Sequence, residues 1–135
     1  MFKSTFGFMI NDNIQIDIHH RRIIKLHMDE SRKPYALNVS VIAVKDVNMI
    51  LLAYLLENGS ESPVKRDDIL KDVWDNRNLK SSSQILWAAL KALKKDLMLV
   101  GLNPDFITSE RGALYRVNAH NIQGLYVDAN QKLVS

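Results

Sequence analysis

The spacing of apolar residues changes twice along this chain, and those two changes limit the fold more than any other feature. Before Lys45 the apolar residues alternate at period two. Between Val47 and Leu99 they recur at three and four, and after Pro104 they return to short alternating runs. Period two is the signature of a half-buried strand and spacing of three and four that of an amphipathic helix. The order predicted is therefore sheet, helices, hairpin, an α+β domain.

In the first part, Phe6, Phe8 and Ile10 form one strand. Asn11-Asp12-Asn13 is a turn signal, and Ile14, Ile16 and Ile18 form a second strand. His19 to Arg22 is a polar break. Ile23, Ile24 and Leu26 make a third strand, Asp29 to Pro34 a loop, and Tyr35 to Val44 a fourth strand with Leu37, Val39 and Val41 on one face. A small antiparallel sheet with one wet face does not stand alone, so it is expected to pack on the segment C-terminal to it.

The helices come next. Val47, Ile50, Leu51, Tyr54 and Leu55 predict a helix of about three turns, ended by Asn58-Gly59-Ser60 with a left-handed cap position. Arg66 to Trp74 is a second, short helix with Ile69, Leu70 and Val73 inward, and Asp67 and Asp68 at its positive start. Ser81, Ser82 and Ser83 offer three N-caps for a third helix. Its Leu86, Leu90, Leu93 and Leu97 form a continuous stripe, and Gly101 and Pro104 stop it. Phe106-Ile107-Thr108 and Leu114-Tyr115-Arg116-Val117 then flank the polar turn Ser109 to Gly112, a hairpin. Asn118 to Ser135 has no firm pattern, and Leu125-Tyr126-Val127 either adds an edge strand or docks. The domain is expected over 1–117, with a tail or linker over 118–135.

Composition removes several classes of function. A chain of 135 residues suits one domain and buries roughly two-thirds of the surface its unfolded form exposes. With no cysteine, it has no disulfide framework, thiolate metal site or cysteine nucleophile. The most apolar run, Val47 to Leu56, is interrupted by Asn48 and too short to span a bilayer, and the N-terminus lacks the apolar core of a signal peptide. His19 and His20 are adjacent, and neighbouring strand residues would point to opposite faces and not share an ion. Asp29 and Glu30 have no partnered nucleophile, and His120 stands alone. No catalytic residue, metal or cofactor is expected.

The net charge of +3 says little until the charges are placed. On the third helix the face opposite the leucines carries Gln84, Trp87, Ala88, Lys91, Lys94 and Lys95, with Asp96 the single acid between Ser81 and Leu99. One buried face and one basic, Gln-bearing face suit a major groove: lysine meets phosphate, Gln84 meets a base edge, and the helix N-terminus with Ser82 and Ser83 meets phosphate. The plain alternative is that the lysines solvate a surface helix. Trp87 falls on the polar face, where it either packs on the neighbouring helix or makes a contact of its own. Arg111 at the hairpin tip and Arg116 beyond it suit a basic wing, with Glu110 beside them. Lys65 and Arg66 open the second helix, and Lys71, Arg77 and Lys80 surround it.

These ordered features resemble the winged helix-turn-helix DNA-binding domain of OmpR/PhoB-type regulators, and most nearly the effector domains of ToxR/CadC-like transcription activators. Met49 to Asn58 resembles the family's leucine-rich first helix, and Arg66 to Trp74, ending in Val-Trp, its second. Leu90-Lys91-Ala92-Leu93-Lys94-Lys95-Asp96-Leu97 matches the recognition-helix core, with Lys94 where arginine is usual. Ile107-Thr108 through Gly112 and Tyr115-Arg116-Val117 resembles the wing. The resemblance covers residues 6 to 117. It departs at Val44 to Asn48, where the family often has Leu-Thr/Ser-x-x-Glu. It departs again at Leu114, where the family has glycine before the wing tyrosine, so the wing turn is expected to be remodelled.

The resemblance implies a bacterial transcriptional regulator that binds double-stranded promoter DNA. The recognition helix, 82–98, would lie in the major groove and the wing, 108–116, on the adjacent backbone or minor groove. One such domain contacts a short site and specificity usually needs two, so a homodimer or higher array is expected, its surface the exposed side of the N-terminal sheet or the tail; the resemblance adds contact with RNA polymerase. It implies a cytoplasmic location, either free-standing or as the cytoplasmic part of a membrane-tethered regulator. The rival function is a winged helix that binds protein in a regulatory complex.

Overall fold

The structure is a computed structural model and describes residues 3–31, 33–34, 36–118 and 121–128. Tyr35, His120 and the end of the tail, on which some expectations fell, lie outside the described residues. Four antiparallel strands come first: β1 (Lys3–Ile10), β2 (Ile14–Asp17), β3 (Arg22–Asp29) and β4 (Ala36–Ala43). Three helices come after them, α1 (Asp46–Asn58), α2 (Arg66–Ile69) and α3 (Ser83–Leu99), with the short strand β5 (Val64–Lys65) before α2. β6 (Ile107–Glu110) and β7 (Leu114–Val117) form the hairpin, and β8 (Ile122–Asp128) closes the chain's described part. The strand orders are β4-β3-β2-β1-β8 and β5-β7-β6. This is an α+β architecture of the winged-helix kind, with the order read from the sequence.

Residues expected in the tail complete the first sheet, because Ile122–Asp128 pairs antiparallel along β1. Leu125-Tyr126-Val127 thus belongs to an edge strand. Phe6 leaves the expected inward row because the β1–β8 register shifts between Thr5 and Gly7. Gly7 is required there: a Cβ would stand 2.4 Å from the Ile16 carbonyl oxygen. The Asn11-Asp12-Asn13 turn uses two left-handed residues, Asn11 and Asp12, a conformation that short amide and carboxylate side chains tolerate.

One core joins all layers. Phe8, Ile10, Ile14, Ile16 and Ile23 from the sheet meet Met49, Leu52 and Leu55 of α1, Leu86, Leu93 and Leu97 of α3, and Ile107 and Val117 of the hairpin. α1 is buried through Met49, Leu51, Leu52, Leu55 and Leu56, while Val47, Ile50 and Tyr54 are only half-buried. The stripe legible in the sequence is therefore one side of a helix that is apolar nearly all round, as a central helix is.

Gly59 corrects another expectation. Its φ is −102°, so it does not provide a left-handed cap. Its N–H donates to Leu55 O at 2.7 Å and its carbonyl accepts from Val117 N at 2.9 Å. A Cβ would stand 2.9 Å from Leu55 O, with Val117 and Val64 methyls at 3.5 Å. Glycine is needed for close approach of helix and hairpin.

The short helix is not uniform. After α2 the backbone widens to a π turn over Leu70–Trp74 and tightens to a 3-10 turn over Asp75–Arg77. Val73 and Trp74 are buried, and Arg77 donates from Nη1 to the carbonyls of Asp72 and Val73 at the helix end. His19 and His20 lie in the β2–β3 turn rather than on a strand, with rings edge-on at 4.9 Å. The strand-alternation argument therefore does not apply to them. His20 Nδ1 instead meets the Asp17 carboxylate at 2.9 Å.

Candidate nucleic-acid interface

α3 is positioned by its leucines. Leu86, Ala89, Leu90, Leu93 and Leu97 are buried, and at 3.6 residues per turn the opposite side must be Gln84, Trp87, Ala88, Lys91 and Lys95. All five are exposed. Lys94 departs from expectation. It is half-buried on the helix flank, beside Asn103, Pro104 and Phe106. Met98 and Leu99, the last two residues of α3, continue the exposed face as an apolar end.

Trp87 does not pack on the neighbouring helix. It is 64% exposed, and the Lys91 ammonium stands over its ring at 5.0 Å from the centroid. This is cation–π distance, and the pair is one helical turn apart, where side chains meet. The lysine charge is thereby held on the outer face while the indole edge stays open to solvent.

Of the three serines before α3, only Ser82 is the N-cap. Its hydroxyl accepts from Ile85 N at 3.1 Å. Ser81 donates to Asp75 Oδ1 at 2.6 Å, and Ser83 is exposed without a hydrogen-bond partner among the described residues. The first turn of α3 holds no acidic residue, so nothing there offsets the positive helix end. Gly101, at φ +89°, terminates the helix: its N–H donates to Met98 O at 3.0 Å, and Leu102 N to Leu97 O at 3.1 Å. Asp96 is held above its ordinary range, chiefly by burial, with Lys95 opposing the shift.

The hairpin turn is built on two left-handed residues, Arg111 (φ +55°) and Gly112 (φ +64°). Ala113 N donates to Glu110 O at 3.0 Å. Leu114, which replaces the family's glycine, pairs with Lys65 of β5 and needs no unusual conformation. The tip is tied to the start of α2, Arg66 N donating to Ala113 O at 2.9 Å and Arg66 Nη1 to Gly112 O at 3.5 Å, and is braced within the hairpin by Tyr115 Oη, which donates to Gly112 O at 3.2 Å. Burial pushes the Tyr115 hydroxyl up, with the Arg66 charge opposing.

The basic residues thus fall into two sets. Arg66 holds the hairpin, Arg77 caps the π turn, and Arg116 meets Glu110 at 3.7 Å. Lys65, Lys71, Lys80, Lys95 and Arg111 are exposed, and their side chains have no ion pair or hydrogen bond among the described residues. Sequence alone could not separate these sets, because the partners are main-chain carbonyls and a hairpin neighbour. Among the described residues no group of three or more His, Cys, Asp or Glu could hold a metal ion, and no helix is long and apolar enough to cross a membrane.

The fold and this surface define a small α+β domain of the winged-helix type, a class often used to bind DNA or protein. No family model matches the chain, and no curated protein matches it.

Proposed function

We propose that this protein binds double-stranded DNA sequence-specifically, with α3 in the major groove and the β6–β7 hairpin on the adjacent backbone or minor groove, and regulates transcription. The observation that carries the reading is the exposed face of α3, where Gln84, Trp87, Lys91 and Lys95 stand opposite a fully committed core stripe. Lys91 and Lys95 supply charge to phosphates. Gln84, in the first turn, has the donor and acceptor that read an adenine edge. Ser83 and the helix N-terminus meet a phosphate, while Ser82 sets the helix start. Arg111 and Lys65 extend the positive surface along the hairpin. Arg66 and Arg116 act by fixing the hairpin, and Lys94 approaches from the flank.

Membership of the OmpR/PhoB type, in its ToxR/CadC-like branch, rests on the residue resemblance in α1, α2, α3 and the hairpin. A bacterial promoter, contact with RNA polymerase, a cytoplasmic address and a membrane tether follow from that membership, whereas action as a homodimer follows from the short site that one such domain contacts and the absence of an enzymatic role from the isolated histidines and unpartnered acidic residues of the sequence.

A second reading has one specific support. Met98 and Leu99 are exposed at the end of the basic face, and beside Lys91, Lys94 and Lys95 they line a shallow apolar depression. Such a surface suits a protein partner. The test is selection from a fragmented genomic duplex library at increasing salt. Retention of related sites, with affinity falling steeply in salt, supports the DNA reading, because counterion release drives phosphate binding. Salt-insensitive capture of a protein without site selection supports the second.

A further inference from the structure

Among the described residues, the longest run of exposed apolar side chains lies on the first sheet and not on α3. Ile24, Leu26 and Met28 of β3 face Val41, Val39 and Leu37 of β4 in direct register. Leu37, Val39 and Val41 are 57%, 53% and 56% exposed, and Met28 49%. Ile23, between this row and the core, is fully buried, so the row points away from the chain's own helices. The other face of the same two strands carries Lys25, His27, Asn38 and Ser40. An antiparallel sheet with one wet face normally turns its polar row outward. Here the outer part of the hairpin is inverted, and its alternation is written for burial against something other than this core.

β4 is also the edge of the sheet. Between Ala36 and Ala43 it has no charge, no proline and an unbroken register of eight pairs with β3. Exposed edges are ordinarily blunted by such devices.

We propose that this face is where a second copy of the chain docks, outer face to outer face about a twofold axis. The face is neutral, so a second copy brings no like-charge contact. Arg22, at its margin, is already held by Asp17 at 2.9 Å. The five exposed side chains and the half-buried Ile24 offer on the order of 500 Å² per copy, the size of the largest apolar patch a monomer carries, which is often a functional one. Doubled, it reaches about 1,000 Å², where specific interfaces begin. Two sheet faces packed this way make an aligned sandwich with interdigitated apolar rows, and a twofold axis makes one self-complementary patch sufficient. Because the face is turned away from the helices, the pair leaves Trp87 and Lys91 uncovered. The inference rests on the sheet and not on DNA binding.

The test is sedimentation velocity of the full chain without DNA, across a concentration series, for the wild type and for Val39→Lys and Leu37→Glu. The expected result is a closed dimer, with each substitution raising its dissociation constant at least about tenfold while the thermal melt of the monomer stays intact. A monomeric wild type at every concentration would overturn the proposal and leave the face to a different protein. A dimer indifferent to both substitutions, or open-ended association in place of a pair, would overturn it too. A monomer leaves the DNA reading standing, and a dimer without DNA affinity leaves this one standing.

Discussion

The ammonium of Lys91 sits over the indole of Trp87, 5.0 Å from the ring centroid, on the solvent side of α3. The pair fixes a charge and a flat apolar surface together on the face proposed to meet DNA. Trp87→Ala is expected to weaken duplex binding at least about tenfold, a loss of roughly 1.4 kcal/mol, and to leave the urea midpoint unchanged, since the ring is exposed. Fluorescence adds a check. Trp74 is buried and Trp87 is not, so duplex should quench the red-shifted emission that Trp87→Phe removes. An unquenched Trp87 would place the duplex elsewhere.

Lys91→Ala and Lys95→Ala are each expected to reduce the salt slope of duplex binding by about 1 without altering site preference, as phosphate contacts do. Lys94→Ala is expected to cost less binding, because Lys94 is half-buried on the flank of α3, and to lower stability slightly through lost packing of its stem. Titrations at several salt concentrations separate the three.

Much of this architecture is legible in the sequence. The Leu86, Leu90, Leu93, Leu97 spacing locates α3 and its outer face, and Val73-Trp74 locates the buried end of the second helix. Other features escape for physical reasons. Period two shows that Leu37, Val39 and Val41 share a face, but alternation cannot say which side the core is on. Gly59 suggests a left-handed φ because that is the common use of glycine after a helix, whereas here it yields space to Val64 and Val117. The 122–128 stretch pairs with β1, more than a hundred residues away in sequence, and no local pattern announces a pairing that distant.

Leu93 is fully buried at the centre of the α3 stripe. Leu93→Ala is expected to lower unfolding stability by about 2–5 kcal/mol, the cost of lost transfer energy plus a cavity. Denaturant melts check this, and a loss under about 1 kcal/mol would mean that α3 presents a different face inward.

Burial alone would raise the Asp17 carboxyl, but hydrogen bonds from the Arg22 guanidinium and from the His20 main chain and ring outweigh it. The group is held below its ordinary 3.8. A carboxyl depressed in the folded state contributes stability that is complete above its unfolded value and lost as pH falls through the folded one. Wild-type stability should therefore drop as pH goes below 3.8. Asp17→Asn should be less stable at neutral pH and show a flatter acid limb in urea melts recorded at successive pH values.

Tyr54 Oη donates to Asp72 Oδ2 at 2.7 Å, joining α1 to the π turn, and burial together with that carboxylate pushes the Tyr54 hydroxyl far up. Tyr54→Phe is expected to cost about 1–2 kcal/mol, as for a hydrogen bond to a charged group with partial exposure. Binding by folded protein should be unchanged. Loss of binding without loss of stability would mean that the π turn sets the orientation of α3.

The central claim is that α3 binds duplex through its outer face, and the most direct measurement is duplex affinity against salt for the wild type and for Lys91→Ala/Lys95→Ala. A steep linear fall of log affinity with log salt is expected in the wild type, and a slope lower by about 2 in the double variant, with identical melts. Equal slopes in the two proteins, or a wild-type affinity indifferent to salt, would contradict it.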